Sequence, residues 1–198
     1  ITGHTGFKGS WLTMWLNMLG AKIIAVSKNI PTNPSHFENF DELLERDERF
    51  NLTDFKKIES LIVDNKPDYI FHLAAQPIVL TSYDNPFETY NSNTVGTLNI
   101  LESLKRSNHK SVAIMITSDK CYENINKKIK YREGDRLGGI DPYSTSKASA
   151  ELLIKGYCES FFKTSQSNVK ICSARAGNVM GGGDWANNRI IPDFVRSW

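Results

Sequence analysis

The feature that most constrains this chain is an alternation of short apolar runs with longer stretches of helical spacing. Residues 22–26 (KIIAV), 69–73 (YIFHL), 111–117 (SVAIMIT) and 169–174 are brief and rich in β-branched residues. Strands covered on both faces need no polar alternation, so such runs predict a parallel sheet. Between them, residues 6–19, 54–65, 87–107 and 142–162 predict helices. Leu12, Trp15, Leu16 and Leu19 form the expected buried stripe of the first helix, and Gly20 stands where a helix-ending glycine belongs. Thr53 is the expected cap of the second. Pro86 and Pro142 open the third and fourth. Leu98, Leu101 and Leu104 should face inward on the third; Leu152, Leu153, Tyr157 and Phe161 on the fourth. Residues 28–37, with Pro31, Asn33 and Pro34, predict a loop. The order predicts an α/β fold: a Rossmann-like, doubly wound parallel sheet with helices on both faces. Ligands of such sheets bind beyond the carboxyl ends of the strands.

Charge and composition narrow the partners. The net charge is +2 over 198 residues, too near neutral for a nucleic-acid binder. Hydrophobic residues at 40% and charged residues at 23% are an ordinary globular balance. No apolar run reaches the length of a membrane span and no secretory leader opens the sequence, so a cytoplasmic location is expected, with no membrane partner. Cys121, Cys158 and Cys172 form no CxxC and predict reduced thiols. His4, His36, His72 and His109 make no metal pattern, and no metal is expected. Both ends read as interruptions of longer elements. The expected division is a cofactor-binding part over 1–176, its first strand truncated, and the opening of a substrate-binding part over 177–198.

Two patterns carry chemistry. Gly3, Gly6 and Gly9 are spaced GxxGxxG before the first helix. A diphosphate approaches backbone closely only where side chains are absent, and the helix start offers N–H groups and a positive dipole end. Thr5 and Phe7 belong to the same loop. The acidic residue expected about 20 residues further on is not evident. Ser27 stands there instead, followed by Lys28, which could meet a 2′-phosphate. Asn51, Leu52 and Asp54 are candidates for cradling an adenine. The second pattern is Tyr143–Lys147, a YxxxK set at a helix start. Residues at i and i+4 share a face, and a nearby ammonium stabilises a phenolate. Such a tyrosine can take a hydroxyl proton while the alcohol carbon gives up hydride. Thr117-Ser118-Asp119 ends a strand and strengthens the pattern.

The glycines, His72-Leu73-Ala74-Ala75-Gln76, Asn93-Thr94-Val95-Gly96-Thr97 and Tyr143/Lys147 resemble the extended short-chain dehydrogenase/reductase superfamily, through nearly the whole chain. Thr117-Ser118-Asp119-Lys120-Cys121-Tyr122 resembles the segment where sugar-nucleotide 4,6-dehydratases carry Thr-Asp-Glu. Asp-Lys in that place, with 6–12 (GFKGSWL), 75–77 (AQP) and 174–185 (ARAGNVMGGGDW), is similar to the branch acting on CDP-glucose. The resemblance implies bound NAD, a CDP-sugar substrate, a homo-oligomer (dimer or tetramer) and a place in deoxysugar biosynthesis.

It also implies roles. Ser118, Asp119, Lys120, Tyr143 and Lys147 would be catalytic: Tyr143 as base toward the C4 hydroxyl, helped by Ser118 and Lys147, Asp119 as acid toward the C6 hydroxyl, and Lys120 as base toward the C5 proton. Asp119 would need a dry pocket to stay protonated. An Asp119–Lys120 ion pair is not expected between neighbours at a strand end. Gly3, Thr5, Gly6, Phe7, Gly9, Ser27, Asn51, Leu52, Leu73, Ala74, Ala75, Gln76, Thr117, Tyr143 and Lys147 would hold the cofactor. Gln76, Ser82, Ser118, Asn178 and Arg189 would touch the substrate, Tyr83 more weakly. Ile190, Ile191 and Pro192 would wall the nucleotide pocket, and Cys121 would be a packing residue. The alternatives are another 4,6-dehydratase, a 4-epimerase, which needs no dehydrating acid–base pair, and a dinucleotide-binding module without catalysis.

Overall fold

The computed structural model describes residues 1–126 and 130–198, with Asn39 and Asp41 described in backbone alone. In chain order the main elements are α1 (Phe7–Met18), β1 (Ile24–Ser27), β2 (Arg46–Arg49), α2 (Phe55–Asn65), β3 (Tyr69–His72), α3 (Val79–Asp84), α4 (Pro86–Tyr90), α5 (Gly96–Ser107), β4 (Ser111–Ser118), α6 (Pro142–Tyr157), β5 (Val169–Ala176) and α7 (Ile190–Ser197). The chain forms two compact units.

The first unit comprises Ile1–Asn51, His72–Ala74 and Asn178–Trp198. Here β1 and β2 pair in parallel, with Ile24 opposite Arg46 and Ser27 opposite Arg49. Thr2 bridges in parallel to both Val26 and His72. Ile23, Ala25, Val26 and Phe37 form its apolar interior. Gly20, at φ +83°, ends α1 as expected, with Gly20 N donating to Asn17 O and Ala21 N to Leu16 O.

β2 escapes sequence prediction because Arg46-Asp47-Glu48-Arg49 carries no apolar residue; it is held by pairing with β1. The α1 stripe is corrected too. Trp15 and Leu19 are 62% and 69% exposed, while Gly9, Ser10 and Thr13 are buried. Small residues face inward because Gly9 lies against the backbone of the glycine loop. The expected loop ends at His36, where the 3-10 turn His36–Asn39 begins.

The second unit comprises Leu52–Phe71 and Ala75–Gly177. Its sheet runs β3-β4-β5, with β4 and β5 parallel from Ser111 opposite Val169 to Ser118 opposite Ala176. Ile58 and Ile62 of α2 and Ile100, Leu101 and Leu104 of α5 are buried; each fully buried side chain of this size contributes about 1.5–3 kcal/mol. Leu98 is only half-buried. The cap of α2 is Asp54, whose carboxylate accepts Lys57 N at 3.3 Å, rather than Thr53. The long helix expected over 87–107 is broken into α4 and α5 by a π-helical turn, Asn91–Val95. The fourth helix likewise passes from α6 into a π-helical turn, Cys158–Phe162. Leu152 and Phe161 point outward, at 58% and 40% exposed; the buried face carries Tyr143, Lys147, Ala148, Ala150, Glu151 and Ile154.

Candidate active site

In the first unit the glycine loop closes tightly on itself. Gly3 has φ +76°, and a Cβ there would lie 2.6 Å from Ala74 N. A Cβ on Gly9 would lie 2.1 Å from Gly3 O. The fold alone therefore requires glycine at both positions. Gly6 differs: its Cβ would meet only Gly3 O, at 3.4 Å. It is the N-cap of α1, no side chain caps the helix, and no acidic residue occupies the first turn. An uncapped helix start beside unfilled space suits an anionic diphosphate.

Lys8 lies in the first turn and is half-buried; desolvation holds its pKa below the ordinary value, and the charge of Arg189 adds to this. Sequence reading missed Lys8, although a lysine one turn into a glycine-loop helix is a usable signal. Thr5 donates its hydroxyl to Asn29 O at 2.8 Å and its N–H to Ser27 Oγ at 3.4 Å. Ser27 Oγ also contacts His4 Nδ1 at 3.0 Å. His4 is fully buried, its Nε2 is 3.0 Å from Asp47 Oδ1, and burial pushes its pKa down to about 4 against the pull of Asp47. Thr2 ties in the far side of the loop: its carbonyl accepts Leu73 N at 3.1 Å and its hydroxyl accepts Ala74 N at 3.1 Å.

The substrate-side candidates of this unit lie past β5. Phe7 and Trp11 receive the glycine run there: Trp11 Nε1 donates to Gly182 O at 2.9 Å, and a Cβ on Gly181 would lie 3.1 Å from the Phe7 ring. Asn178 is exposed, as is Lys28 after β1. Arg189, at the N-cap of α7, donates to Asp184 at 3.2 Å. Ile190 and Ile191 are 80% and 44% exposed, and Pro192 is buried.

In the second unit, β4 ends on Ser118 and turns at once into a 3-10 helix, Asp119–Cys121. Ser118 is buried; its hydroxyl accepts Lys120 N at 3.3 Å and donates to Asp119 Oδ1 at 3.2 Å. The tight turn brings Lys120 Nζ to 3.3 Å from Asp119 Oδ1, so the ion pair not expected at a strand end is made. The two side chains remain 38% and 47% exposed, so the dry surroundings expected for Asp119 are not built by the described residues around it. Burial pushes the Cys121 thiol up to about 11, and Cys121 clusters with Tyr122, Ala148 and Leu137, which fits a packing role.

Tyr143 and Lys147 are buried on one face of α6, at 8% and 7% exposed. Asp141 caps that helix, accepting Ser144 N at 2.9 Å, and Pro142 takes its first turn. Several polar candidates are spent on holding this unit together. Ser82 is fully buried, donates to Val79 O and accepts Tyr143 N at 3.2 Å. The Gln76 amide donates to Ile78 O and Thr89 Oγ1 and accepts Ile78 N. Asn93, in the π-helical turn, accepts Gln76 N at 2.8 Å and donates to Gln76 O and Ser146 Oγ. Leu52 O accepts Asn99 Nδ2 at 2.7 Å. Thr117 donates its hydroxyl to Glu151.

A glycine cradle before a helix and a Tyr-x-x-x-Lys helix beside a strand ending in serine define the class: a Rossmann-like fold of the extended short-chain dehydrogenase/reductase type. Residues 1–196 match the family described as GDP-mannose 4,6 dehydratase, and the chain belongs to that family. It is 46% identical to the CDP-glucose 4,6-dehydratase of Salmonella typhimurium, over 100% of this chain and 56% of that protein. It is 29% identical to the dTDP-D-glucose 4,6-dehydratase of Dictyostelium discoideum, over 98% of this chain and 46% of that protein. The structure of UDP-glucose 4-epimerase from Thermotoga maritima, with UDP-glucose, superposes at a TM-score of 0.78 and 25% identity, over 92% of this chain and 56% of that one. The chain thus spans about half the length of the relatives it matches.

Proposed function

We propose that this chain supplies the cofactor-binding and catalytic part of an NAD-dependent CDP-glucose 4,6-dehydratase. The observation that carries the reading is the corner Ser118-Asp119-Lys120 at the end of β4, in one compact unit with Tyr143 and Lys147. The 46% identity to the Salmonella enzyme supports the choice of CDP-glucose. Residues 1–176 are assigned to the cofactor-binding part and 177–198 to the start of the substrate-binding part. The full protein is assigned to the cytoplasm as a homo-oligomer. No described helix is long and apolar enough to cross a membrane.

NAD, when bound, would supply the acceptor for a hydride from the sugar C4 and the donor of a hydride to C6. The uncapped start of α1 and the space beside Gly6 fit its diphosphate. Thr5, Ser27, Asn51 and Leu73–Gln76 would complete its cradle. Lys147 would hold the ribose next to the nicotinamide and, through its ammonium, favour Tyr143 as the phenolate that accepts a proton. Tyr143 takes the C4 hydroxyl proton, with Ser118 hydrogen-bonded to the same oxygen. The resulting C4 ketone acidifies the C5 proton.

Elimination then needs a neutral amine to take that proton and a protonated acid to release the C6 hydroxyl as water. Asp119 would be that acid and Lys120 that base, with Lys120 Nζ 3.3 Å from Asp119 Oδ1. Asn178 and Arg189 would hold the CDP phosphates.

Single-turnover kinetics with CDP-glucose test the reading on the full-length protein. Tyr143→Phe is expected to abolish the absorbance of NADH. Lys120→Met is expected to form NADH and stall before water is lost. Dehydration at the original rate in Lys120→Met would make Lys120 a structural residue and refute its role as base; a wild-type protein that forms NADH and releases a C4 epimer without losing water would return the 4-epimerase alternative.

A further inference from the structure

The face of α6 that carries Tyr143 and Lys147 continues, one turn on, to Glu151, because i, i+4 and i+8 share a face. Glu151 is 3% exposed. Its carboxylate accepts Thr117 Oγ1, Ser173 Oγ at 3.1 Å and Arg175 Nη2 at 2.7 Å. The first donor lies on β4, in the residue before Ser118; the other two lie on β5, where Arg175 stands opposite Thr117. Arg175 is held in turn, with its guanidinium 4.8 Å from the Tyr122 ring centre and Nη1 donating to Glu133 O at 3.0 Å.

A buried ion pair is a poor source of stability, since apolar residues of equal volume often serve as well. It does supply direction. Much of the buried face of α6 is small, Ala148 and Ala150 among it, and apolar contact alone sets no register along a strand. Three directed hydrogen bonds from two strands do.

We infer that Glu151 is a positioning residue: it locks α6 against the ends of β4 and β5, and so fixes Tyr143 and Lys147 relative to Ser118. The inference rests on the proposed roles of those three residues.

The test uses the full-length protein with NAD and CDP-glucose. Glu151→Ala is expected to lower kcat for the oxidation by about 100-fold, the scale of an ångström's misplacement. The KM for CDP-glucose should change little. Amide hydrogen exchange should quicken through residues 142–151 and keep its wild-type rate through 55–65. Glu151→Gln keeps an acceptor for Thr117 and Ser173 and should recover most of the lost turnover. Exchange that rises equally in both helices, or Glu151→Gln no better than Glu151→Ala, overturns the inference. If Glu151→Ala does not fold, Ser173→Ala removes one donor and should lower kcat several-fold without a change in Tm; unchanged kcat and unchanged exchange overturn the inference. The exchange arm needs no substrate. Should the wild-type protein be inert on CDP-glucose, the proposed function fails, while loosening confined to 142–151 still upholds the anchor and its absence overturns it.

Discussion

The three glycines of the opening loop are unequal at the residue scale. Gly3 and Gly9 are demanded by backbone atoms at 2.6 Å and 2.1 Å, so alanine at either should cost stability before any ligand is considered. Gly6 is demanded by neither. Gly6→Ala is expected to unfold at the wild-type temperature and to bind NAD at least tenfold more weakly by calorimetric titration, whereas Gly9→Ala should unfold several degrees lower. His4, in the same loop, stays neutral in the fold down to about pH 4, while in the unfolded chain it protonates near its ordinary 6.5. Between those values the unfolded state binds the extra proton, so stability falls as pH drops through that window and is fully present above it. The loss amounts to about 3 kcal/mol at the acid end. Urea unfolding from pH 7 to pH 4 should show this slope, and His4→Asn should flatten it.

At the element scale, α6 is the helix that carries the candidate catalytic residues Tyr143 and Lys147, and its start is set by Asp141. Asp141→Ala removes the carboxylate that accepts Ser144 N and Ser144 Oγ, and is expected to cost about 1 kcal/mol in urea unfolding. Most elements were legible in sequence because their apolar runs match a strand or helix period, and Pro142 and Gly20 mark boundaries by backbone chemistry alone. β2 was not legible, because a charged edge strand is specified by its neighbour β1 rather than by its own residues. Trp15 and Leu152 misled for the opposite reason: helical spacing says which residues share a face, not which face is covered. The π-helical turn at Asn91–Val95 has no local marker; it places Asn93 where its side chain meets Gln76 and Ser146. The candidate catalytic residues could be named because Tyr143 and Lys147 fall within five residues of each other and Ser118-Asp119-Lys120 are contiguous. Glu151 could have been found from its eight-residue spacing to Tyr143, but its partners Thr117, Ser173 and Arg175 are distant in sequence and needed the fold.

At the scale of the whole molecule, the first compact unit is assembled from three separated segments, 1–51, 72–74 and 178–198, while all of the second lies between them. That arrangement bears on how the protein is born. A ribosome delivers the glycine loop before the second unit, and the run that meets Phe7 and Trp11 after it. At about 5–20 residues per second, the interval between residues 51 and 178 is on the order of ten seconds. Within it the second unit can complete its sheet and α6, while residues 1–51, although made earlier, wait for the segment that meets Phe7 and Trp11. Of the two units, the one begun earlier is therefore the one completed later, and its early segment meets chaperones and proteases for that interval.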